Sequence, residues 1–336
     1  MRKKWVITVV VFSALLLFLA GCGGKSQEKV VSKLEDTMDN MTGYKADATM
    51  EMNTGQEEQS YEIDVWFQKD DMYRVSLSNP ADEQASQVIL KNEDGVFVLT
   101  PALNKSFKFQ SDWPDQGSQP YLFQSLIKDV TEDPEATFEE TDDHYVFETK
   151  TNYQNNHTLP YQKVYFDKKT YTPSHVQVLD TDNEAVVKVK FSNFELDAKF
   201  AADDFKLDEN MATAKQDVPV YQDEEDVFMV LFPLETFGSE LEQKKEVQLD
   251  EGERIIMTFA GDKNFTLIQE KMEVAETVAL EEVSGDVVDL GFTQGAMTNN
   301  AIEWSYHGVD FMLASDELTK EELVEVARSV QGKEIK

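Results

Sequence analysis

The sequence predicts a mainly β protein of antiparallel strands, followed by a smaller α+β unit. Three observations carry this. Apolar and polar residues alternate over most of residues 44–191, the pattern of strands with one buried face. The runs are joined by short turns such as Asn92-Glu93-Asp94-Gly95 and Asp180-Thr181-Asp182-Asn183, and connections this short can only join antiparallel neighbours. Helical spacing appears in few places, at about residues 28–41, 121–130 and 319–330.

The first helix is predicted over Glu28–Met41, where Val30, Val31, Leu34, Met38 and Met41 share a face and Gly43 supplies a stop. The period then changes. Tyr44, Ala46, Ala48, Met50 and Met52 alternate with polar residues, and Tyr61, Ile63, Val65 and Phe67 repeat the pattern. Tyr73, Val75 and Leu77 form a third strand after Asp70-Asp71. Val88–Leu90 and Val96–Leu99 flank a Gly-containing hairpin turn, and Phe107 and Phe109 continue the meander. Leu122, Phe123, Leu126, Ile127 and Val130 lie on one side of a short helix. Strands resume at Tyr145–Thr149 and Lys163–Asp167, then around Val176 and Val178, and return through Val187, Val189 and Phe191.

Ahead of these elements stands Arg2-Lys3-Lys4, then an apolar run from Trp5 to Ala20 relieved only by Thr8 and Ser13, then Leu19-Ala20-Gly21-Cys22. A basic start, an apolar stretch and small residues at the cut mark a secretory signal. The four closing residues resemble the lipobox of bacterial lipoproteins. That resemblance implies recognition of Leu19, Ala20 and Gly21 by signal peptidase, cleavage before Cys22, and a covalent diacylglycerol on its sulfur. Residues 1–21 are then the signal peptide and residues 22–27 the lipidated cysteine with a flexible tether. The expected location is the extracytoplasmic face of the cell membrane, because two acyl chains suffice for stable anchoring. Cys22 is the sole cysteine, so no thiol remains for a disulfide, a metal site or a nucleophile.

Residues 28–210 resemble the LolA-like family of lipoprotein-carrier domains. The likeness rests on the leading helix, the meander, the segment Tyr165-Phe166-Asp167-Lys168-Lys169-Thr170-Tyr171-Thr172-Pro173, and Val189–Leu196 followed by Ala202-Asp203-Asp204-Phe205. It implies a curved antiparallel half-barrel sheet wrapped around helices, with an apolar hollow. Ala48, Met50, Met52, Ile63, Val65, Phe67, Val75 and Leu77 then share the concave face, as a possible groove for acyl lipid or as a dry core against the helices. With the lipobox, the chain also resembles sporulation and germination lipoproteins of spore-forming Gram-positive bacteria, some of which support a cell-wall amidase.

Residues 211–218 lack periodicity and are expected to be a linker, with Pro219 closing the segment. In 219–336, Ile255, Met257 and Phe259 alternate, Gly261-Asp262-Lys263-Asn264 turns, and Phe265 and Leu267 return. Ile302, Trp304 and Tyr306 meet Val309, Phe311 and Leu313 across His307-Gly308. Thr319 and Glu322 are spaced as a capping box, with Leu318 and Leu323 as a hydrophobic staple. Leu323, Val326, Ala327 and Val330 form the closing helix's buried stripe. This ending resembles the α+β domain attached to several sporulation lipoproteins.

With 31 basic and 65 acidic residues the net charge is −34. Loss of three signal-peptide cations leaves 28 against 65, or −37. Such a surface repels nucleic acid and has no basic stripe, and it favours a body standing off an anionic membrane. No Gly-x-Ser-x-Gly or phosphate-cradling glycine loop is present. His144, His157, His175 and His307 are scattered in sequence, so neither catalysis nor a metal is expected. The partners expected are the membrane, another envelope protein and, through the hollow, acyl lipid.

Overall fold

In the computed structural model the described residues run from 24 to 332, apart from 54–57, 81, 102–103, 110–112, 115–116, 118, 154–157, 218–227, 229, 250–251, 273–278, 284, 291–292 and 307. The signal segment, Leu19-Ala20-Gly21 and Cys22 lie outside them, as do His157 and His307.

Helix α1 (Gln27–Asn40) buries Val30 and Leu34. It stops before Gly43, at Met41, whose backbone is extended. Gly43 instead opens strand β1, where a Cβ would lie 2.4 Å from the Phe67 carbonyl oxygen; its close approach to the next strand is what requires glycine.

The meander follows as β1 (Gly43–Asn53), β2 (Glu58–Gln68), β3 (Met72–Asn79), β4 (Asp82–Asn92), β5 (Gly95–Thr100) and β6 (Lys105–Phe109). Helix α2 (Phe123–Glu132) precedes β7 (Thr137–Glu140), β8 (His144–Lys150), β9 (Tyr161–Asp167), β10 (Pro173–Leu179) and β11 (Ala185–Leu196). Together with β16 (Ala279–Val283) they form one unclosed sheet in the order β16-β6-β5-β4-β3-β2-β1-β11-β10-β9-β8-β7. Tyr44 to Met52 of β1 pairs with β2 on one side and β11 on the other, so β1 is central and its inward alternation is fully buried. The expected half-barrel around helices is what forms.

The expected linker does not. Helix α3 (Leu207–Asp217) occupies 211–217. Leu207, Met211 and Ala214 recur at helical spacing and pack with Phe205 on Val88, Leu90, Phe97 and Leu99, covering the convex face of β4 and β5. Asn210 accepts a 2.7 Å hydrogen bond from Arg74, which pairs with Asp64 at 2.5 Å and lies over the Trp66 ring.

The second sheet runs β13-β14-β15-β20-β19-β18-β17. Its strands are β13 (Ser239–Leu249), β14 (Gly252–Gly261), β15 (Phe265–Met272), β17 (Asp286–Asp289), β18 (Gln294–Met297), β19 (Ala301–Tyr306) and β20 (Val309–Ala314). Helix α4 (Lys320–Arg328) packs on it through Leu323, Val324, Val326 and Ala327. The capping box is present: Thr319 N–H donates to Glu322 Oε2 at 2.8 Å, and Glu322 N–H to Thr319 Oγ1 at 3.3 Å. Strand β21 (Val330–Gly332) follows α4 directly and pairs with β12 (Phe232–Pro233), so Val330 leaves the helix for a strand.

The halves are joined. Strand β16 (Ala279–Val283), from the C-terminal half, pairs in parallel with β6 and extends the first sheet. Gln294 N–H donates to the Gln87 side-chain oxygen, and Lys105 pairs with Asp310. One continuous core cluster spans both sheets.

Candidate functional site

The concave face of the first sheet was expected to be hollow or filled, and its residues can be placed one by one. Ala48, Met50, Met52, Ile63, Val65, Phe67, Val75 and Leu77 are all buried, none more than 8 % exposed. They belong to the same cluster as Val30 and Leu34 of α1 and Phe123, Leu126, Ile127 and Val130 of α2. Tyr44 holds this filling together. Its ring stacks on Phe194 at 4.9 Å and meets Phe67 and Phe123. Its hydroxyl donates to Gln124 Oε1 at 3.0 Å and accepts from Phe123 N–H at 3.2 Å. Burial pushes the phenol well above its ordinary pKa, and the Phe123 hydrogen bond offsets only part of that.

Two spaces remain beside this core. Met50 and Met52 line a cavity of about 370 Å³ with Leu159, Val187, Leu290 and Arg328. A second cavity of about 320 Å³ lies where the second sheet covers β4, β5 and β6. Its roof is Gln87, Val98, Phe107 and Phe109. Its floor holds two rows on one face of the second sheet. Arg254, Glu270, Asp310 and Ser305 sit side by side through the ladder register, as do Ile268, Met312, Glu303 and Ala296. Arg254 pairs with Glu270 at 2.5 Å, and Ser305 donates to Asp310 at 2.6 Å. The polar row is thus internally satisfied, which suits a wedge between sheets more than a catalytic centre.

The outer surfaces offer sheet edges. Strand β7 is four residues long and carries Glu139 and Glu140, the usual protection of an edge. Strand β13 is different: eleven residues, mostly exposed, paired only with β14 among the described residues. Leu241 is 42 % exposed there, amid Glu240, Glu242, Lys244, Lys245 and Glu246.

Sequence distance hid one cluster. His144 and His175, far apart in the sequence, come to 5.5 Å between ring centroids on the face opposite Phe147 and Val176. Ser174 Oγ lies 3.2 Å from His144 Nε2 and 3.3 Å from His175 Nδ1, and Tyr165 stacks on His175 at 3.7 Å. No carboxylate holds either ring among the described residues, so the nucleophile–base–orienter arrangement is incomplete. Burial lowers the His175 pKa, and His144 and Lys190 lower it further. A histidine whose folded pKa is depressed stabilises the fold only while neutral. Its contribution is complete above the unfolded value of about 6.5 and is lost as pH falls below it. His175→Gln therefore flattens the loss of urea midpoint between pH 7 and 5.5; equal slopes in both proteins would show that His175 is not the titrating group.

With this geometry in place, the chain can be compared with known proteins. The family described as sporulation protein YdcC-like matches residues 2–205. The sporulation protein YdcC of Bacillus subtilis (strain 168) is 46% identical over 336 residues, covering 100% of this chain and 99% of that protein. The chain belongs to the sporulation protein YdcC-like family. Among solved structures, MucB superposes with 13% identity and a TM-score of 0.36 over 91% of this chain and 98% of MucB. A complex of the CwlD amidase from Clostridioides difficile with the GerS lipoprotein matches with 17% identity and a TM-score of 0.23, over 53% of this chain and 98% of that chain. These superpositions are loose and say nothing about what a YdcC-like chain binds.

Proposed function

We propose that this YdcC-like chain is a non-enzymatic lipoprotein, anchored through Cys22 outside the cell membrane, that serves sporulation by binding another extracytoplasmic protein. The observation that carries this is the outer edge of β13, which pairs with no strand among the described residues. An extended segment of a partner can add to it by backbone hydrogen bonds, while alternate side chains set specificity. The charged side chains of Glu240, Glu242, Lys244, Lys245 and Glu246 along the edge disfavour self-pairing. The buried concave face supports the same reading, because acyl chains would have to displace α1 and α2. Lipid anchoring restricts the search for a membrane-bound partner and raises its effective concentration. A cell-wall amidase is one partner of this kind, supported only by the germination lipoproteins the chain resembles.

The test is photo-crosslinking in sporulating cells. A photoreactive residue at Gln243 of β13 is expected to trap a discrete adduct, and one at Glu93 in the β4–β5 turn to trap none. No adduct from β13, or the same adduct from both positions, would overturn this reading.

A second reading, an acyl-lipid carrier or sensor, is favoured by one observation: Met50 and Met52 line the 370 Å³ cavity, and methionine adapts well to flexible apolar ligands.

A further inference from the structure

We propose that the body is held in one orientation on the membrane, with the end of the first sheet formed by the β7–β8 and β9–β10 turns facing the lipid. This rests on the reading of Cys22 as the lipidated residue. The expectation of a flexible tether over residues 22–27, with the body standing off, does not match residues 24–27. Helix α1 is fixed by the full burial of Val30 and Leu34, and Gln27 Nε2 donates to the Ala136 carbonyl at 3.2 Å. Ahead of the helix, Lys25 N–H donates to Glu140 Oε2 at 2.9 Å. Its ammonium donates to the Tyr171 hydroxyl and lies 4.9 Å from that ring's centroid and 5.9 Å from that of Tyr145. Lys168 pairs with the same Glu140 at 2.5 Å. At Gly24 a Cβ would meet Glu140 Oε2 at 2.6 Å, so glycine permits this close approach.

Three residue steps separate Lys25 from Cys22, at most ~11 Å when fully extended. The sheet is much longer than that reach: the seven residues of β10 alone span ~23 Å. Two acyl chains at Cys22 therefore bring the β9–β10 turn to the headgroups and leave the β10–β11 turn distant. Each contact of the exposed Lys25 is weak, but burial of α1 fixes the chain from Gln27 onward without them. Charge permits the placement. In a strongly acidic protein this end is near balance, with Lys25, Lys168 and Lys169 against Glu140, Asp142, Asp143 and Asp167.

The full lipidated chain allows a direct test, because acylated Cys22 leaves no other thiol to label. A fluorophore on Lys169→Cys or Asp182→Cys is read against an acceptor dye on lipid headgroups in vesicles of phosphatidylethanolamine and phosphatidylglycerol. Energy transfer is expected to be at least about twofold greater at 169 than at 182, from the ~23 Å between the two turns. A Gly-Ser insertion of about twelve residues after Gly23, reaching ~19 Å, should bring the two signals together. Equal transfer in the native-length chain, or an unchanged ratio with the insertion, would overturn the proposal. Failure of lipidation itself reads differently: Cys22 becomes labelled, and the chain leaves the vesicles unless residues 1–21 are retained.

Discussion

Tyr44→Ala should lower stability by about 3–5 kcal/mol, the cost of truncating a large buried aromatic. Tyr44 is fully buried and touches β2 through Phe67, α2 through Phe123 and β11 through Phe194. The gap left by the ring therefore falls where three elements meet and none can close it alone. Tyr44→Phe separates packing from hydrogen bonding. It keeps the ring but strands Phe123 N–H and Gln124 Oε1, which should cost about 1–3 kcal/mol. Urea midpoints at constant m value measure both. Equal losses for the two variants would mean that the hydroxyl, and not the ring, holds the helix on the concave face.

The second large effect is at Cys22. In the native chain we expect an N-terminus at Cys22 carrying a diacylglyceryl mass; in Cys22→Ala the acyl mass disappears and residues 1–21 are retained. The difference is all or none if, as proposed, the thiol is the acceptor of the lipid. Each buried CH₂ of the chains contributes ~0.8 kcal/mol to anchoring. Intact-mass measurement of both proteins from the membrane fraction decides it. Retention of residues 1–21 in both would make the apolar run from Trp5 to Ala20 an uncleaved anchor.

Most of the first sheet was legible because its strands are half-buried, and a half-buried strand writes period two into the sequence. Tyr44–Met52 and Tyr61–Phe67 are clear cases. The capping box at Thr319 and Glu322 was equally legible, since its two hydrogen bonds are local. Strand β13 was not, because Glu240–Lys245 is exposed on both faces and carries no alternation. Strand β16 has only five residues and owes its place to β6, more than 170 residues earlier in the chain; nothing in Ala279–Val283 announces that partner. Helix α3 could have been found. Leu207, Met211 and Ala214 have helical spacing, but the polar residues between and after them look like a linker. The candidate surfaces were the least legible part. The His144–Ser174–His175 cluster arises from the pairing of β8, β9 and β10, and the Lys25–Glu140 contact from the docking of the segment ahead of α1; they span up to 115 residues. The eight proposed groove residues were found as a set, since alternation identifies the inward face; whether that face is open depends on α1 and α2 docking there.

That question decides between a protein-binding module and a lipid carrier, and native mass spectrometry answers it. The protein beginning at Gly23 is purified without detergent after mixing with a membrane fraction. The filled concave face predicts the bare polypeptide mass. A discrete increment matching an acyl lipid on most molecules would contradict it.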